Sequence, residues 1–438
     1  MKRIKNRTYN LLKFEWHAYQ LSDIYRNMSD SKADIEADMK ASEDRGEAPA
    51  SMEPLLIGES HPKRGELADL AVDLAARSAG LKRSLPDGIR LALAGLIRAM
   101  NCYYSNLIEG HDTHPIDIER AMNDDYSQDP KKRDLQYEAR AHITVQKWID
   151  DGHFDGRAAT RDGLLEVHRR FCELLPEDLL WVKNPDTGER LRVVPGALRH
   201  RDVQVGRHIA ISPGALPRFL AHFEQVYANP RLGRVDAILA AACGHHRLLW
   251  MHPFLDGNGR VARLMSYSLL REALDTGGLW SIARGLARRE ADYKAQLAST
   301  DSPRQGDLDG RGNLSEAALA NFARFFLEVC LDQVAFMEEL IQPDRLRDRI
   351  LIWTEEEMRG DRLPPRSDTI LQAVLYRGQL PRGDAAEILG TTDRQARRIT
   401  SALLDRGVLV SESVRAPLRL AFPAALAPRW MPGLFPDK

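Results

Sequence analysis

The sequence of 438 residues has few cysteines, no excess of charge of one sign and no long hydrophobic run. Its four cysteines are widely spaced and form no CxxC pair, which excludes a dense disulfide framework and favours a reducing compartment. Lys and Arg total 62 and Asp and Glu total 63, so a uniformly basic nucleic-acid-binding surface is excluded, although a local basic patch is not. No apolar stretch reaches the length of a membrane span, and the basic N-terminus lacks the apolar core of a signal peptide. We therefore expect a soluble, cytoplasmic protein without membrane contact.

The length and composition are those of a globular protein with more than one domain. A size of about 150 residues per domain predicts two to three domains, and 43% hydrophobic with 29% charged residues is ordinary globular composition. Residues 1–64 are predicted to be an N-terminal helical or linker region, with a helix over residues 11–28 and a solvated helix or mobile linker over residues 29–52. From residue 65 onward, apolar side chains recur at helical spacing, which predicts a mainly α fold. The predicted helices include residues 91–110, 138–149, 161–174, 216–227, 236–250 and 314–340.

A stretch of different character interrupts the helices between residues 191 and 211. Valine and isoleucine are frequent there, and Pro195-Gly196 and Gly206 break the stretch. β-Branched residues between turn residues predict a small β-hairpin inserted in the helical domain.

The most informative residues lie between the helix predicted to end near residue 250 and a second helix predicted to begin near Arg260. Gly257 and Gly259 allow the backbone of this loop to approach a ligand closely with its N–H groups facing inward. The N-terminus of the following helix adds partial positive charge, so the loop is predicted to cradle an anion. Arg260 and Arg263 are three residues apart and project from nearly the same face, where charge-assisted hydrogen bonds would hold two phosphate groups.

Two further side chains of this loop suit phosphate chemistry. Asp256 offers a hard oxygen ligand for a Mg²⁺ ion that bridges phosphates. His252 lies at the start of the loop, and the near-neutral pKa of histidine suits removal of a proton from an attacking hydroxyl. The alternative interpretation is a chance helix–loop–helix with a core histidine and surface arginines.

Residues 252–263, HPFLDGNGRVAR, match the signature HPFxDGNGRxxR at every fixed position, and the chain resembles the Fic family. Fic enzymes typically take ATP with Mg²⁺ and attach AMP to a Ser, Thr or Tyr hydroxyl of a protein, releasing pyrophosphate. The resemblance implies a Fic-type helical bundle with a small β-hairpin flap, over residues 65–345. It also implies a protein adenylyltransferase whose partners are ATP, a target protein and, in autoAMPylation, the chain itself.

The resemblance implies a role for each residue of the motif. His252 would be the general base that deprotonates the target hydroxyl, Phe254 a buried anchor for the loop, and Asp256 the Mg²⁺ ligand. The residues that would bind the triphosphate of ATP are Gly257, Asn258, Gly259, Arg260 and Arg263, with Arg263 on the terminal phosphate.

Residues 105–110, SNLIEG, resemble the inhibitory motif [S/T]xxxE[G/N] of the Fic class with an N-terminal inhibitory helix. The resemblance implies that Glu109 pairs with Arg263, occupies the place of the terminal phosphate and forces ATP into an unproductive pose. Ser105 would hydrogen-bond to the glutamate or its neighbour. Two alternatives stay open: Glu109 merely ends an amphipathic helix, or it positions a water molecule for removal of AMP.

Other residues give weaker signals. Residues 193–211 fall where Fic proteins place the flap that aligns a target side chain by strand addition, and a purely structural hairpin is the alternative. Tyr293 is predicted either to form a wall for adenine or to be a core tyrosine, and His245 to be a structural, hydrogen-bonded residue. The histidines without a metal-ligand grouping, to which no role is assigned, are His111, His114, His153, His168 and His222.

Residues 346–438 are predicted to form a winged helix-turn-helix domain. The predicted helices are residues 368–376, 382–389 and 393–405, the last capped by Asp393, and two short apolar stretches at 408–410 and 418–420 form the wing. From residue 362 to the end there are 12 Lys and Arg and 7 Asp and Glu, a net charge of +5. The side chains that would reach bases or phosphates are Arg394, Gln395, Arg397 and Arg398. DNA binding, dimerisation and target docking all remain open for this unit, as does a nucleotide-sensing, DNA-binding regulator for the whole chain.

Overall fold

The computed structural model describes residues 12–14, 43–184, 187–274 and 276–436, and it is mainly helical there. The helices are α1 (Arg64–Arg83), α2 (Asp87–Ile108), α3 (Pro115–Met122), α4 (Pro130–Asp150), α5 (Arg161–Glu173), α6 (Leu216–Tyr227), α7 (Arg234–Met251), α8 (Asn258–Leu274), α9 (Ile282–Arg288), α10 (Glu290–Thr300), α11 (Glu316–Leu340), α12 (Pro343–Arg359), α13 (Ser367–Arg377), α14 (Ala385–Leu389), α15 (Asp393–Asp405) and α16 (Ala427–Trp430). The predicted N-terminal helix over residues 11–28 is wrong where it can be checked, because Leu12–Phe14 form a strand. The rest of that helix, and residues 29–42 of the predicted linker, lie outside the described residues.

Helices α7 and α8 form the centre of the bundle and carry the loop of residues 252–257 between them. α7 is apolar on nearly every side, and its residues from Ile238 to Leu248 are buried, so it can only lie in the interior. α8 packs against α7, and α11 packs against α1 and α7. The aromatic rings of Phe322 and Phe326 on α11 fill the space beside α7. The loop is therefore fixed to the most buried pair of helices in the described part of the chain.

The predicted β-hairpin over residues 191–211 is two separate hairpins. Strand β3 (Arg190–Arg192) pairs antiparallel with β2 (Trp181–Lys183), which precedes it, and β4 (Val203–Val205) pairs antiparallel with β5 (His208–Ile209). The single hairpin fails because the chain between β3 and β4 turns at Gly196, with φ 74°, and packs against the loop that follows α7. Strand β1 (Leu12–Phe14) pairs parallel with β4 on its other edge. Both edges of β4 are therefore occupied within the chain.

The C-terminal elements follow the predicted order. α13 and α14 match the first two predicted helices, and α15 has the bounds predicted for the third. Strands β6 (Leu409–Val410) and β7 (Arg419–Leu420) pair antiparallel after it. Three details differ. Helices α12 and α16 were not predicted. Thr392 is the N-cap of α15 without a side-chain capping bond, so Asp393 does not cap this helix.

The C-terminal unit lies against α2. Gly88 at the start of α2 is so close to the backbone of Gly378 that a Cβ there would overlap it. Near the other end of α2, the Tyr104 hydroxyl donates to the backbone oxygen of Leu434 at 3.1 Å, and Leu434 is fully buried. The helix that ends at Glu109 is therefore held at both ends by residues from the C-terminal part of the chain. Among the described residues, none of the helices is both long and apolar enough to cross a membrane.

Candidate active site

The loop between α7 and α8 is closed by its own polar side chains. α7 ends at Met251, and His252 follows in the left-handed conformation, with φ 49°, so the chain turns sharply there. Gly257 is also left-handed, with φ 80°, which glycine adopts without strain. The Asn258 side chain accepts from the Phe254 N–H at 2.9 Å and donates to the Phe254 carbonyl at 2.9 Å. Phe254 is fully buried, as expected for an anchor, and the amide of Asn258 is used inside the loop.

Arg199 braces the start of the loop from the segment between β3 and β4. Its side chain is buried, and Nε donates to the carbonyl of His252 at 2.7 Å. Its backbone N–H donates to the carbonyl of Pro253 at 2.9 Å. These bonds satisfy two loop carbonyls that the end of α7 leaves without helical partners. Arg199 therefore fixes the backbone on which the His252 imidazole is mounted.

His168 on α5 braces the other half of the loop. The Gly196 N–H donates to His168 Nδ1 at 3.0 Å, so the proton is on Nε2, which donates to the carbonyl of Asp256 at 3.2 Å. The imidazole also stacks on the Phe254 ring, with centroids 4.0 Å apart. Burial lowers the pKa of His168 to about 4, so this neutral tautomer persists at neutral pH.

The first turn of α8 forms a pocket suited to an anion. A Cβ at Gly259 would overlap the Glu109 carboxylate and lie 3.0 Å from Arg263 Nη1, so only glycine leaves this space open. Arg260 and Arg263 are 8% and 3% exposed. Within the described residues, Nε of Arg260 and Nη1 of Arg263 are buried without a hydrogen-bond partner. Buried N–H groups without partners are rare because each costs desolvation energy, so these donors mark a place for a ligand with several acceptor oxygens.

Glu109, at the end of α2, fills part of this pocket. Its Oε1 lies 2.5 Å from Arg263 Nη2. Ser105, one turn earlier, accepts from Arg263 Nε at 2.8 Å through its hydroxyl and from Nη2 at 3.2 Å through its backbone oxygen. Burial raises the pKa of Glu109, but the charges of Arg263 and Arg260 outweigh this and hold that pKa below its ordinary value. The end of one helix therefore presents an ionised carboxylate to Arg263.

A second carboxylate, not predicted from the sequence, faces Arg260. Glu138 on α4 places Oε1 3.6 Å from Arg260 Nη2, and its Oε2 lies 2.6 Å from Nδ1 of His111. Burial raises the pKa of Glu138, but Arg260 and His111 lower it further, and the net pKa lies below the ordinary value. Each of the two motif arginines thus has one carboxylate from outside the motif beside it.

His252 lies at the start of the loop, directly after α7, and its side chain is partly exposed. Desolvation, followed by the positive charge of Arg199, lowers its pKa to about 3, so the imidazole is neutral at pH 7. A hydrogen bond to the backbone of Leu249 favours the proton on one ring nitrogen. The other nitrogen then keeps the lone pair that a general base requires.

Asp256 supplies the carboxylate of the loop, which is a candidate ligand for a cation. Its side chain is half-buried, and it makes no hydrogen bond or ion pair with any side chain in the described part of the chain. The same part of the chain holds no group of three or more His, Cys, Asp or Glu residues that would bind a metal alone. Mg²⁺ is commonly held by one or two carboxylates together with substrate phosphates, and Asp256 fits that donor set.

Tyr293 and His245 lie behind the pocket. Tyr293 is 1% exposed, and its hydroxyl lies 2.7 Å from His245 Nε2. His245 Nδ1 lies 2.8 Å from the Ser266 hydroxyl. His245 is hydrogen-bonded on both ring nitrogens, as expected for a structural residue. Tyr293 is buried, and its role as a wall for adenine stays a prediction.

The four site residues that were not assigned a role are His111, Glu138, His168 and Arg199. The sequence signal for Arg199 is weak, because the residue only follows Pro195-Gly196, which breaks the valine-rich stretch. His168 interrupts the apolar face of an amphipathic helix. Glu138 and His111 had no sequence signal for a role in the site, because their partners lie far away in the sequence.

Known proteins resemble the part of the chain that contains this loop. The sequence profile of the Fic/DOC family matches residues 159–270. The protein adenylyltransferase Fic of Drosophila erecta is 28% identical over 224 residues, which are 49% of this chain and 42% of that protein. The protein of the same name from Drosophila willistoni is 28% identical over 232 residues, or 50% of this chain and 44% of that protein. The chain therefore spans less than half the length of these curated relatives.

Solved structures of two Fic proteins also align with this chain. A Fic family protein from Desulfovibrio desulfuricans G20 has a TM-score of 0.46 and 18% identity, covering 80% of this chain and 96% of its own. Fic-1 from C. elegans has a TM-score of 0.41 and 18% identity, covering 63% of this chain and 71% of its own. Residues 159–270, which contain the motif at residues 252–263, are therefore a Fic domain.

Proposed function

We propose that this protein is a Mg²⁺-dependent protein adenylyltransferase, which transfers AMP from ATP to a hydroxyl side chain of a target protein and is autoinhibited by Glu109. The observation that carries the proposal is the pair of buried N–H donors, Arg260 Nε and Arg263 Nη1, that lack partners beside Gly259. A triphosphate offers more acceptor oxygens than the single carboxylate that now lies there. The curated relatives from Drosophila are named protein adenylyltransferase Fic, which supports the same activity.

The reaction needs one base and a positively charged pocket. The neutral nitrogen of His252 takes the proton from the target hydroxyl, whose oxygen attacks the α-phosphorus of ATP, and the bond to pyrophosphate breaks. Arg260, Arg263 and the N–H groups around Gly257 and Gly259 hold the phosphate oxygens and stabilise the charge that develops on them. These groups are already braced before ATP arrives, so little reorganisation is required.

Asp256 would hold Mg²⁺ in this reaction. The bound ion would neutralise phosphate charge and fix the orientation of the triphosphate. The fit rests on the half-buried carboxylate of Asp256, which makes no ion pair within the described residues and lies beside the arginine pocket. His168 contributes by holding the Asp256 backbone at 3.2 Å, so that this carboxylate projects from a fixed turn.

Glu109 would act as the inhibitor. Its carboxylate lies against Gly259 and neutralises Arg263, so a terminal phosphate would meet a negative charge at the place where it needs a positive one. Removal of the side chain would leave Arg263 free to bind that phosphate. Ser105 holds Arg263 in the inhibited arrangement through its hydroxyl and its backbone oxygen. The use of Glu109 to position a water for AMP removal stays a prediction.

The decisive experiment compares two positions of the label in ATP. Glu109→Gly is incubated with Mg²⁺ and a cell lysate, with ATP labelled either at the α- or at the γ-phosphate. AMP transfer predicts label on protein from α-labelled ATP only. Label from γ-labelled ATP would indicate phosphorylation, and no label from either would contradict the proposal. Glu59→Gly, which removes an 84% exposed carboxylate paired with Arg64 at 3.0 Å, is the matched control.

We also propose that residues 346–438 form a winged helix-turn-helix domain that contacts DNA. The observation that favours it is the exposed face of α15, where Arg394, Arg397 and Arg398 make no ion pair with another described residue. Unpaired arginines on the second helix of such a unit suit phosphate and base contacts. The test is fluorescence anisotropy with a labelled duplex at several salt concentrations, comparing wild type with Arg397→Ala. Binding that weakens with salt and with the substitution supports DNA contact, and no binding at low salt contradicts it.

Three further features stay predictions. Self-modification and a cytoplasmic location follow from the family and the composition, and a homodimer from the C-terminal unit. The role of β4 and β5 as a flap for the target is also untested. Because β1 pairs with β4 on one edge and β5 on the other, strand addition at β4 would require that one of them separates.

A further inference from the structure

Glu138 is a buried acidic side chain that the proposed mechanism leaves unused. It projects from α4 and is 8% exposed. One carboxylate oxygen lies 3.6 Å from Arg260 Nη2 and the other lies 2.6 Å from His111 Nδ1. Burial of a carboxylate in the interior requires compensation, and these two groups supply it.

The buried guanidinium of Arg260 requires a negatively charged partner. It is 8% exposed and donates no hydrogen bond to any described residue, and its Nε is buried without a partner. A buried guanidinium without a nearby negative charge is strongly unfavourable, and Glu138 makes the one ion pair that Arg260 has in the described part of the chain. The Phe171 ring lies 5.0 Å from the guanidinium carbon and limits its movement from another side.

The length of the contact between Glu138 and Arg260 matters. At 3.6 Å the two groups attract each other by charge, but the contact is too long to be a good hydrogen bond. Glu138 therefore holds the guanidinium in place without occupying its N–H donors. Those donors remain available for the phosphate oxygens of a ligand.

We propose that Glu138 is a positioning residue for the transfer reaction: it holds Arg260 in the orientation that meets the phosphates of ATP. This inference rests on the proposed adenylyltransferase function. His111 completes the arrangement, because it fixes the second oxygen of Glu138 and its backbone N–H closes the end of α2 on Asn106 at 2.9 Å. The same carboxylate thus connects the turn after Glu109 with Arg260.

The test uses the uninhibited Glu109→Gly protein as its parent. Glu138→Gln keeps the shape of the side chain and an acceptor for His111 but removes the negative charge. We expect kcat for AMP transfer to fall by about tenfold or more, because a displaced catalytic group costs rate strongly. KM for ATP should change by no more than about threefold, because the positive charge of Arg260 is still present to bind the phosphates.

A double-mutant cycle with Arg260→Lys shows whether Glu138 acts through Arg260. With lysine at 260, the further change Glu138→Gln should lower kcat by less than about twofold, since the group that Glu138 positions is already gone. An equal loss of kcat in both backgrounds would overturn the inference. A raised KM with unchanged kcat would also overturn it, because Glu138 would then serve binding alone.

One control variant and one measurement separate positioning from folding. The control variant, Asp150→Asn, changes a residue on the same helix and breaks a partly buried pair with Arg98 at 3.0 Å. It should lower the melting temperature and leave kcat and KM of the folded protein unchanged. The measurement is the fraction of Glu138→Gln that is folded. If Glu138→Gln loses activity only in proportion to loss of folded protein, the role is structural and the inference fails. Lack of transfer by the Glu109→Gly parent contradicts the proposed function itself, whereas full activity of Glu109→Gly/Glu138→Gln contradicts only the role of Glu138.

Discussion

The Glu109 carboxylate lies 2.5 Å from Nη2 of Arg263 and occupies the space that the missing side chain of Gly259 leaves open. One helix end thereby neutralises a buried arginine and covers the first turn of α8. The contact joins residues that are distant in the sequence. Ser105 holds Arg263 in place by accepting a hydrogen bond from its Nε. The Glu109 side chain therefore fills the space in which we propose that a phosphate binds.

Gly259→Ala is expected to block the pocket. The added methyl group would overlap the place of the Glu109 carboxylate and approach Arg263 Nη1 to 3.0 Å. In the Glu109→Gly background, where the carboxylate is absent, the methyl group would still exclude a phosphate, so affinity for ATP should fall by about tenfold or more. Isothermal titration calorimetry measures the affinity for ATP, and an unchanged affinity would show that phosphate does not lie against Gly259.

Ser105→Ala is expected to destabilise the inhibited arrangement. It removes the hydroxyl that accepts from Arg263 Nε at 2.8 Å and leaves a buried charged donor without that partner. The free energy of unfolding should fall by about 1.5–3 kcal/mol, measured by urea denaturation. Basal AMP transfer should rise at the same time, because Arg263 is held less firmly. Ser401→Ala, on the exposed face of α15, is the control that should change neither quantity.

Acid is expected to destabilise the protein before its carboxylates titrate. Burial lowers the pKa of His142, His245 and His252 to about 3 and that of His168 to about 4. Below about pH 6.5 the unfolded chain binds protons at these histidines and the folded protein does not, so stability falls as the pH falls from about 6.5 to about 3. His111 acts in the opposite direction, since burial lowers its pKa but Glu138 raises it by more.

Urea denaturation at pH 7.5 and at pH 5 measures this dependence. The midpoint should be lower at pH 5, and His142→Gln should reduce the difference, because it removes one of the groups that must stay neutral. A midpoint that rises on acidification would show that these histidines are protonated in the folded protein.

Leu434→Ala is expected to loosen α2. Leu434 is fully buried, and its backbone oxygen accepts from the Tyr104 hydroxyl on α2 at 3.1 Å. Loss of the side chain should reduce the free energy of unfolding by about 2–5 kcal/mol. If the C-terminal residues help to hold the end of α2, hydrogen exchange of residues 101–110 should become faster. Unchanged exchange there would limit the contact to a local packing role.

The sequence was sufficient to predict those parts of the structure that depend on residues close together in the chain. The loop between α7 and α8, the bounds of α15 and the end of α2 near Gly110 follow from glycines, apolar periodicity and helix-end residues close together in the chain. The pairing of Glu109 with Arg263 also agrees with the expectation, because the motif resemblance contains both residues.

Features that depend on distant partners were not predictable in this way. The strand pairing of residues 181–192 and 203–209 depends on which segment is brought alongside, and valine content alone suggested one hairpin. Glu138 reads as a polar residue on an amphipathic helix, and only the fold brings Arg260 and His111 to it. The position of Tyr293 beside His245 likewise depends on how α10 packs. The sequence alone does not distinguish an adenine wall from a core tyrosine at this residue.

The most direct test of the central claim is the rate of AMP incorporation from α-labelled ATP by wild type, Glu109→Gly and Glu109→Gly/His252→Ala under identical conditions. Relief of the Arg263 contact predicts at least about tenfold faster incorporation by Glu109→Gly than by wild type, and a return to background when His252 is also removed. Equal rates for wild type and Glu109→Gly, or incorporation that persists without His252, would contradict the account.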